Sequence, residues 1–189
     1  MKTLFAIPLL FLTLQAEINL PENFESNFTQ VIINDKGKTL EYNGSVVYRY
    51  DKHILIDDRG AEQEIANSLF KWSYISPTKK EVCSDGVQIT IIDHDLEQVS
   101  KYLIDDGVDL EQILKCAEMI TTKDYKAVYK EVEYLITLDD QGQIKKIMYV
   151  DRLDNTVKIE FQNMHYNLKS FDESRLECVI NSDYDLIEG

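Results

Sequence analysis

Leu69-Phe70-Lys71-Trp72-Ser73-Tyr74-Ile75-Ser76-Pro77 and Val87-Gln88-Ile89-Thr90-Ile91-Ile92-Asp93 are two alternating runs, joined through turns that carry Pro77 and Ser84-Asp85-Gly86. A period of two between tight turn signals specifies antiparallel strands. So much apolar and aromatic surface in so short a span requires an apolar body against it, whether a helix, another sheet or a ligand.

Upstream, Pro21 with Glu22 and Glu25 suits the positive start of a helix, and Phe24, Phe28, Val31 and Ile32 fall at helical spacing. The spacing predicts a helix from about Leu20, ended by Asp35-Lys36-Gly37. Leu40 and Tyr42, then Val46, Tyr48 and Tyr50, alternate on either side of Asn43-Gly44, which predicts a hairpin turning there. Asp51 to Asn67 is irregular, and Ile54-Leu55-Ile56 before Asp57-Asp58-Arg59-Gly60 predicts a further turn and an edge strand. Downstream, Leu110, Ile113, Leu114, Ala117 and Ile120 predict a second helix, entered through Asp105-Asp106-Gly107-Val108-Asp109.

Alternation then returns. Val128, Val132, Tyr134, Ile136 and Leu138 share one face, Asp139-Asp140-Gln141-Gly142 turns the chain, and Ile144, Met148 and Val150 continue. After Asp154-Asn155 come Val157, Ile159 and Phe161, and a last strand is expected around Arg175 to Ile180. The expected architecture is mainly β: one strongly curved, mostly antiparallel sheet with an early and a middle helix. Such a sheet either plugs its concave side with side chains or leaves a ligand cavity, and the pattern alone leaves both open.

Composition narrows the partners. The 189 residues, 44% hydrophobic, suit a single domain with a real core. Twenty Lys and Arg stand against 34 Asp and Glu, a formal net charge of -14, so nucleic acid and anionic lipid surfaces are poor partners. Met1-Lys2, the apolar run Leu4 to Leu14 and Gln15-Ala16-Glu17 read as an export signal at residues 1–16, with the mature domain at 17–189. The run is too short to span a bilayer, which takes about 20 residues. Cys83, Cys116 and Cys178 allow one disulfide with a thiol left over in an oxidising compartment, though three buried small hydrophobes is the plainer expectation. Asn27-Phe28-Thr29 and Asn43-Gly44-Ser45 match the glycosylation acceptor pattern, each with an acid two residues earlier; Asn43, in its expected turn, is the more accessible.

Catalytic groupings are sparse. The histidines are His53, His94 and His165. Asp93-His94-Asp95 is adjacent in sequence, but consecutive strand residues point to opposite faces, so a solvated turn is expected rather than a metal site. Asp105 to Asp109 lacks the spaced oxygens and distal Glu of a helix-loop-helix calcium site. No Gly-x-Ser-x-Gly elbow or phosphate-cradling glycine loop is present. An enzyme is not expected, nor a cofactor or resident metal.

Phe28-Thr29-Gln30, Asn43-Gly44, Phe70-Lys71-Trp72 with Pro77, Ser84-Asp85-Gly86, and Asp93 with Leu96-Glu97-Gln98-Val99 together resemble, in order and spacing, the periplasmic outer-membrane lipoprotein carrier family, LolA. The resemblance implies an unclosed β-barrel capped by a helical lid over an apolar cavity. It implies acylated lipoproteins as cargo, an inner-membrane ABC exporter as their source, the outer membrane as destination with or without a receptor, and a monomeric carrier in the periplasm. By family position Phe70 and Trp72 line the cavity, with Phe28 on the lid helix. Tyr48, Ile89, Ile91, Ile136, Met148, Ile159 and Phe161 are further lining candidates. The family's Arg-Pro before Phe-x-Trp, whose Arg latches the lid, is replaced by Ala66-Asn67, leaving Arg49 or Arg59 as substitutes. A lipid- or glycolipid-binding or lipoprotein-sensing module on the same scaffold is the alternative.

Overall fold

Alternation governs even more of the chain than its sequence suggests. The computed structural model describes residue 18 and residues 20–103 and 110–188. The expected leader and the Asp105 to Asp109 turn lie outside the described residues. The strands are β1 (Asn23–Ile33), β2 (Thr39–Ile56), β3 (Glu62–Ser76), β4 (Lys80–Ser84), β5 (Gln88–Asp93) and β6 (Gln98–Leu103). After α1 (Leu110–Lys115) come β7 (Glu118–Met119), β8 (Asp124–Tyr129), β9 (Val132–Leu138), β10 (Ile144–Val150), β11 (Thr156–Tyr166) and β12 (Asp185–Glu188). They form one open sheet in the order β12-β6-β5-β4-β3-β2-β1-β11-β10-β9-β8-β7. Each described pairing is antiparallel except β12 with β6.

The expected first helix is a strand. Phe24 and Phe28 are four residues apart, a spacing that fits a period of two as well as one of 3.6. Pairing on both sides decides it: β1 lies between β2 and β11, with Phe28 opposite Gly44 and Phe161. Thr29, Val31, Ile32 and Ile33 are β-branched and suit that place.

Asn43-Gly44 is likewise not a turn but the middle of β2. Here glycine serves close packing: a Cβ at Gly44 would stand 2.1 Å from the Ser73 carbonyl oxygen and 2.9 Å from the Phe28 ring. Asn43, with Oδ1 accepting from Thr29 Oγ1 at 2.9 Å, therefore lies in a strand rather than an exposed turn. The β1–β2 connection is instead Asn34 to Lys38, with Gly37 in the left-handed region.

The second helix stops early. α1 ends at Lys115, and by Glu118 the chain pairs with β8. The expected last strand at Arg175 to Ile180 is a 3₁₀ turn, Glu173–Leu176, capped by the Asp172 side chain accepting from Ser174 N. The following β12 adds parallel to β6.

This C-terminal segment is a strap across the outer face of β2 to β6. Cys178 is bonded to Cys83 of β4, Lys71 Nζ donates to the Glu177 carbonyl at 2.8 Å, Arg49 pairs with Glu173 and Arg175 with Glu25. Ile92 and Val99 are fully buried and, by register, share the face of Cys83. Two cysteines are therefore a staple rather than plain hydrophobes, while Cys116 is free and exposed. The bridge closes a loop 95 residues long. Replacing both Cys83 and Cys178 by Ala is expected to lower unfolding free energy by about 2–4 kcal/mol, read from urea denaturation midpoints; an unchanged midpoint would show that the strap's noncovalent contacts suffice.

Candidate functional site

The main core gathers on the inner face, where strands from the two halves of the sheet converge on β1. Phe28 is 1% exposed and sits edge-on to Trp72 and Tyr74, with ring centroids 4.8 and 5.1 Å away. Phe24 stacks on Tyr48 at 4.9 Å, and Trp72 reaches toward Phe161 at 6.1 Å. Such pairs contribute roughly 0.5–1.5 kcal/mol each beyond the area they bury.

Above this layer the sheet does not close on itself, and a pocket of about 240 Å³ remains. One wall carries Tyr48, Phe70, Trp72, Tyr74 and Val82 from β2 to β4. The opposite wall carries Tyr134, Ile147, Tyr149, Ile159 and Phe161 from β9 to β11. Leu110 and Ile113 of α1 fill one side, and beside the tyrosines and Trp72 the polar residues of the lining are Gln30 and Ser68.

α1 borders a second space. Glu111, Leu114 and Lys115 line a cleft of about 860 Å³ shared with Arg49, Lys52, Lys169 and Phe171. Tyr50 of β2 donates its hydroxyl to Glu111 Oε1 at 2.6 Å, which ties the helix to the sheet. Neither substitute arginine does this. Arg49 turns to Glu173 and Asp51, and Arg59 lies in the β2–β3 turn, where its backbone N–H donates to Asp57.

Of the expected lining residues, Tyr48, Phe70, Trp72, Ile159 and Phe161 meet at the pocket. Phe28 and Ile136 lie in the buried layer, Phe28 on a strand rather than a helix. Ile89 and Ile91 share the sheet face of Phe70 and Trp72 through Ser84 and Val82, but they stand beyond the pocket's edge. Met148 is on the other face, beside Leu135 and Val150, because a bulge between Ile144 and Lys146 switches the alternation. After that switch Ile147 and Tyr149 point inward. Phe24, Tyr74, Tyr134 and Ile113 also belong to the site. For Tyr74 and Tyr134 the signal is the aromatic alternation itself, Tyr74 two residues after Trp72 and Tyr134 two before Ile136, whereas Ile113 follows from the helical spacing of Leu110, Ile113 and Leu114.

Burial acts on the phenols. It pushes Tyr74 and Tyr149 up from 10.0 to about 12, with Tyr149 and Tyr42 raising Tyr74 further and Tyr134 and Asp151 raising Tyr149. Tyr166, whose hydroxyl accepts from Ile144 N, is likewise pushed up to about 12 by burial. A raised folded-state value means stability fully present below the unfolded value of 10.0 and lost as pH climbs from there toward about 12. Alkaline titration is therefore expected to show late-ionising phenols by tyrosinate absorbance, with their ionisation coinciding with loss of β circular dichroism; ionisation of all tyrosines near 10 in the folded protein would refute it.

Asp93-His94-Asp95 is the expected turn. Asp93 Oδ1 accepts from the Asp95 and Leu96 amides, Asp95 Oδ2 accepts from Lys79 N, and His94 Nδ1 shares a hydrogen bond with Tyr184 Oη at 3.0 Å. Partial burial pushes the Asp93 carboxyl up, but Lys80 and those amides hold it below the usual range.

Residues 67–174 match the family model of the outer membrane lipoprotein carrier protein LolA. An outer-membrane lipoprotein carrier protein of Campylobacter jejuni is 33% identical over 188 residues, 99% of each chain. The chain belongs to the LolA family. An outer-membrane lipoprotein carrier protein of Wolinella succinogenes is 28% identical over 145 residues, 77% of this chain and 75% of that one. A crystal structure of a LolA superfamily protein from Nitrosomonas europaea, 8% identical, overlays with a TM-score of 0.42 over 85% of this chain and 93% of that one. This LolA-family chain is mostly strand, its sheet is open, and α1 is the one α-helix among the described residues.

Proposed function

We propose that the protein is a periplasmic carrier of acylated lipoproteins, taking them from an inner-membrane ABC exporter and delivering them to the outer membrane. The observation that carries this is the aromatic pocket between β3 and β11, open to change because a short helix rather than sheet forms one wall. Each exposed methylene costs about 0.8 kcal/mol, so a lipid anchor needs an apolar escort through water. The acidic surface keeps such an escort from settling on anionic membranes. The role requires no enzyme chemistry and no cofactor, and a monomer suffices.

The pocket of about 240 Å³ is smaller than the roughly 300–1,000 Å³ typical of small-molecule sites. Two or three acyl chains need more, so α1 acts as the lid: withdrawing Leu110 and Ile113 joins the pocket to the neighbouring cleft. Tyr50, Phe70 and Trp72 then form the mouth and wall, and Tyr50–Glu111 is the latch that stands in for the family's arginine.

Protein purified from the periplasm, added to spheroplasts holding newly made lipoproteins, is expected to release them into the supernatant as a soluble complex, dependent on ATP. No release in the presence of a matched exporter would favour a lipid-binding or sensing module instead. Tyr50→Phe is expected to speed amide exchange across 110–115 by about threefold or more, as loss of a hydrogen bond worth about 0.5–1.5 kcal/mol permits. Unchanged exchange there would remove the latch.

A further inference from the structure

Among the described residues, no other strand pairs with the β2–β3 hairpin beyond Tyr50 and Phe70, where it leaves the sheet. β1 accompanies β2 only to Asn23 opposite Arg49, and β4 accompanies β3 only to Ser84 opposite Phe70. β2 and β3 stay paired to Ile56 opposite Glu62. The resulting two-stranded ribbon carries Ile54, Leu55 and Ile56 at 62, 53 and 67% exposure. Successive strand residues face opposite ways, so Ile54 and Ile56 stand on one side and Leu55 on the other. The apex is Asp57-Asp58-Arg59-Gly60, drawn tight by the Asp57 carboxylate accepting from the Arg59 and Ala61 amides. A lone two-stranded ribbon is marginal in water, and three consecutive exposed apolar side chains on it need a partner surface.

We propose that this ribbon is a docking element for a partner protein whose groove has apolar walls and a Lys/Arg rim. A flat surface would cover one apolar side and leave the other wet, whereas a groove covers both. A bilayer is disfavoured because the ribbon leads with Asp57 and Asp58 rather than an apolar tip, and the chain's net charge is -14. A second copy would bring the same acids into contact. A cationic rim pairs with Asp57, Asp58 and Glu62 while the walls take Ile54, Leu55 and Ile56. The ribbon's root is Tyr48, Ser68 and Phe70, which line the pocket, so docking places the pocket mouth against the partner.

A photo-crosslinking residue at Leu55, introduced in the full chain in cells, is expected to form an adduct with one envelope protein. Mass spectrometry of the adduct should place the crosslinked peptide beside a Lys/Arg cluster. With that protein purified, Ile54→Asp/Ile56→Asp and, separately, Asp57→Lys/Asp58→Lys should each weaken binding by about tenfold or more, the wild-type affinity falling as salt rises. The ribbon lies outside the core, so both variants should melt with the wild type and bind an apolar dye in the pocket as it does. Adducts confined to a second copy with concentration-dependent sedimentation would overturn the proposal. So would co-sedimentation with phosphatidylethanolamine and phosphatidylglycerol vesicles lost in the Ile54→Asp/Ile56→Asp variant, or no adduct at all. Phe70→Glu tests the carrier reading separately, since it alters the pocket and leaves the ribbon's adduct in place.

Discussion

Phe70→Glu is expected to leave the protein folded and to cut the lipoprotein it releases from spheroplasts by about tenfold or more, equivalent to at least about 1.4 kcal/mol of lost cargo affinity. Phe70 stands in the pocket wall, opposite Tyr48 on β2 and Ser84 on β4, and is only partly buried. A carboxylate there can turn toward water when the pocket is empty, so the fold survives. Once acyl chains displace water, the same carboxylate must lose hydration without a partner, and the complex bears that cost. Ionisation separates this effect from loss of shape: Phe70→Gln, polar but neutral, should fall between wild type and Glu. Equal release by all three proteins would place the cargo elsewhere.

Gly44→Ala is expected to destabilise the fold at or above the upper end of the roughly 1–3 kcal/mol typical of overpacking. The added methyl would meet the Ser73 carbonyl oxygen at 2.1 Å, and that oxygen belongs to the backbone of β3, the neighbouring strand. Phe28, the other neighbour, is buried under Trp72 and Tyr74 and has nowhere to go. Since native domains are stable by only about 5–15 kcal/mol, much of the margin would be lost. Urea denaturation compares it with Gly37→Asn, where nothing lies within 4 Å and the left-handed backbone suits asparagine. A Gly44→Ala midpoint as high as that of Gly37→Asn would mean that Gly44 is not a packing position.

What was readable in the chain follows from locality. The turn at Asp139 to Gly142, the Asp93 turn and the alternation through Phe70, Trp72 and Tyr74 depend on neighbours in sequence, and the structure holds each where its residues imply. Phe28 and Gly44 failed for one shared reason. A helix from about Leu20, ended by Asp35-Lys36-Gly37, and a turn at Asn43-Gly44 are sound local readings, but β1 is flanked on both sides, and the Phe28 ring lies against the Gly44 position, so glycine there is set by a distant partner.

Met148 failed for a different one. Alternation predicts facing only while the register is unbroken, and the bulge between Ile144 and Lys146 exists only in the pairing of β10 with β9. The disulfide of Cys83 with Cys178 likewise joins residues 95 apart, whose meeting depends on the strap's course.

By itself, then, the sequence determined a β-rich chain, the aromatic alternation through Phe70, Trp72 and Tyr74 and an excess of acidic side chains, because those depend on residue type and short-range period; that Phe70 and Trp72 face a cavity was implied only by the family resemblance. Only the tertiary structure decided which helices form, which face each β10 residue takes, what ties α1 down and where the β2–β3 ribbon departs from the sheet. Each of those is settled by pairing between segments far apart in the chain, which no local pattern encodes.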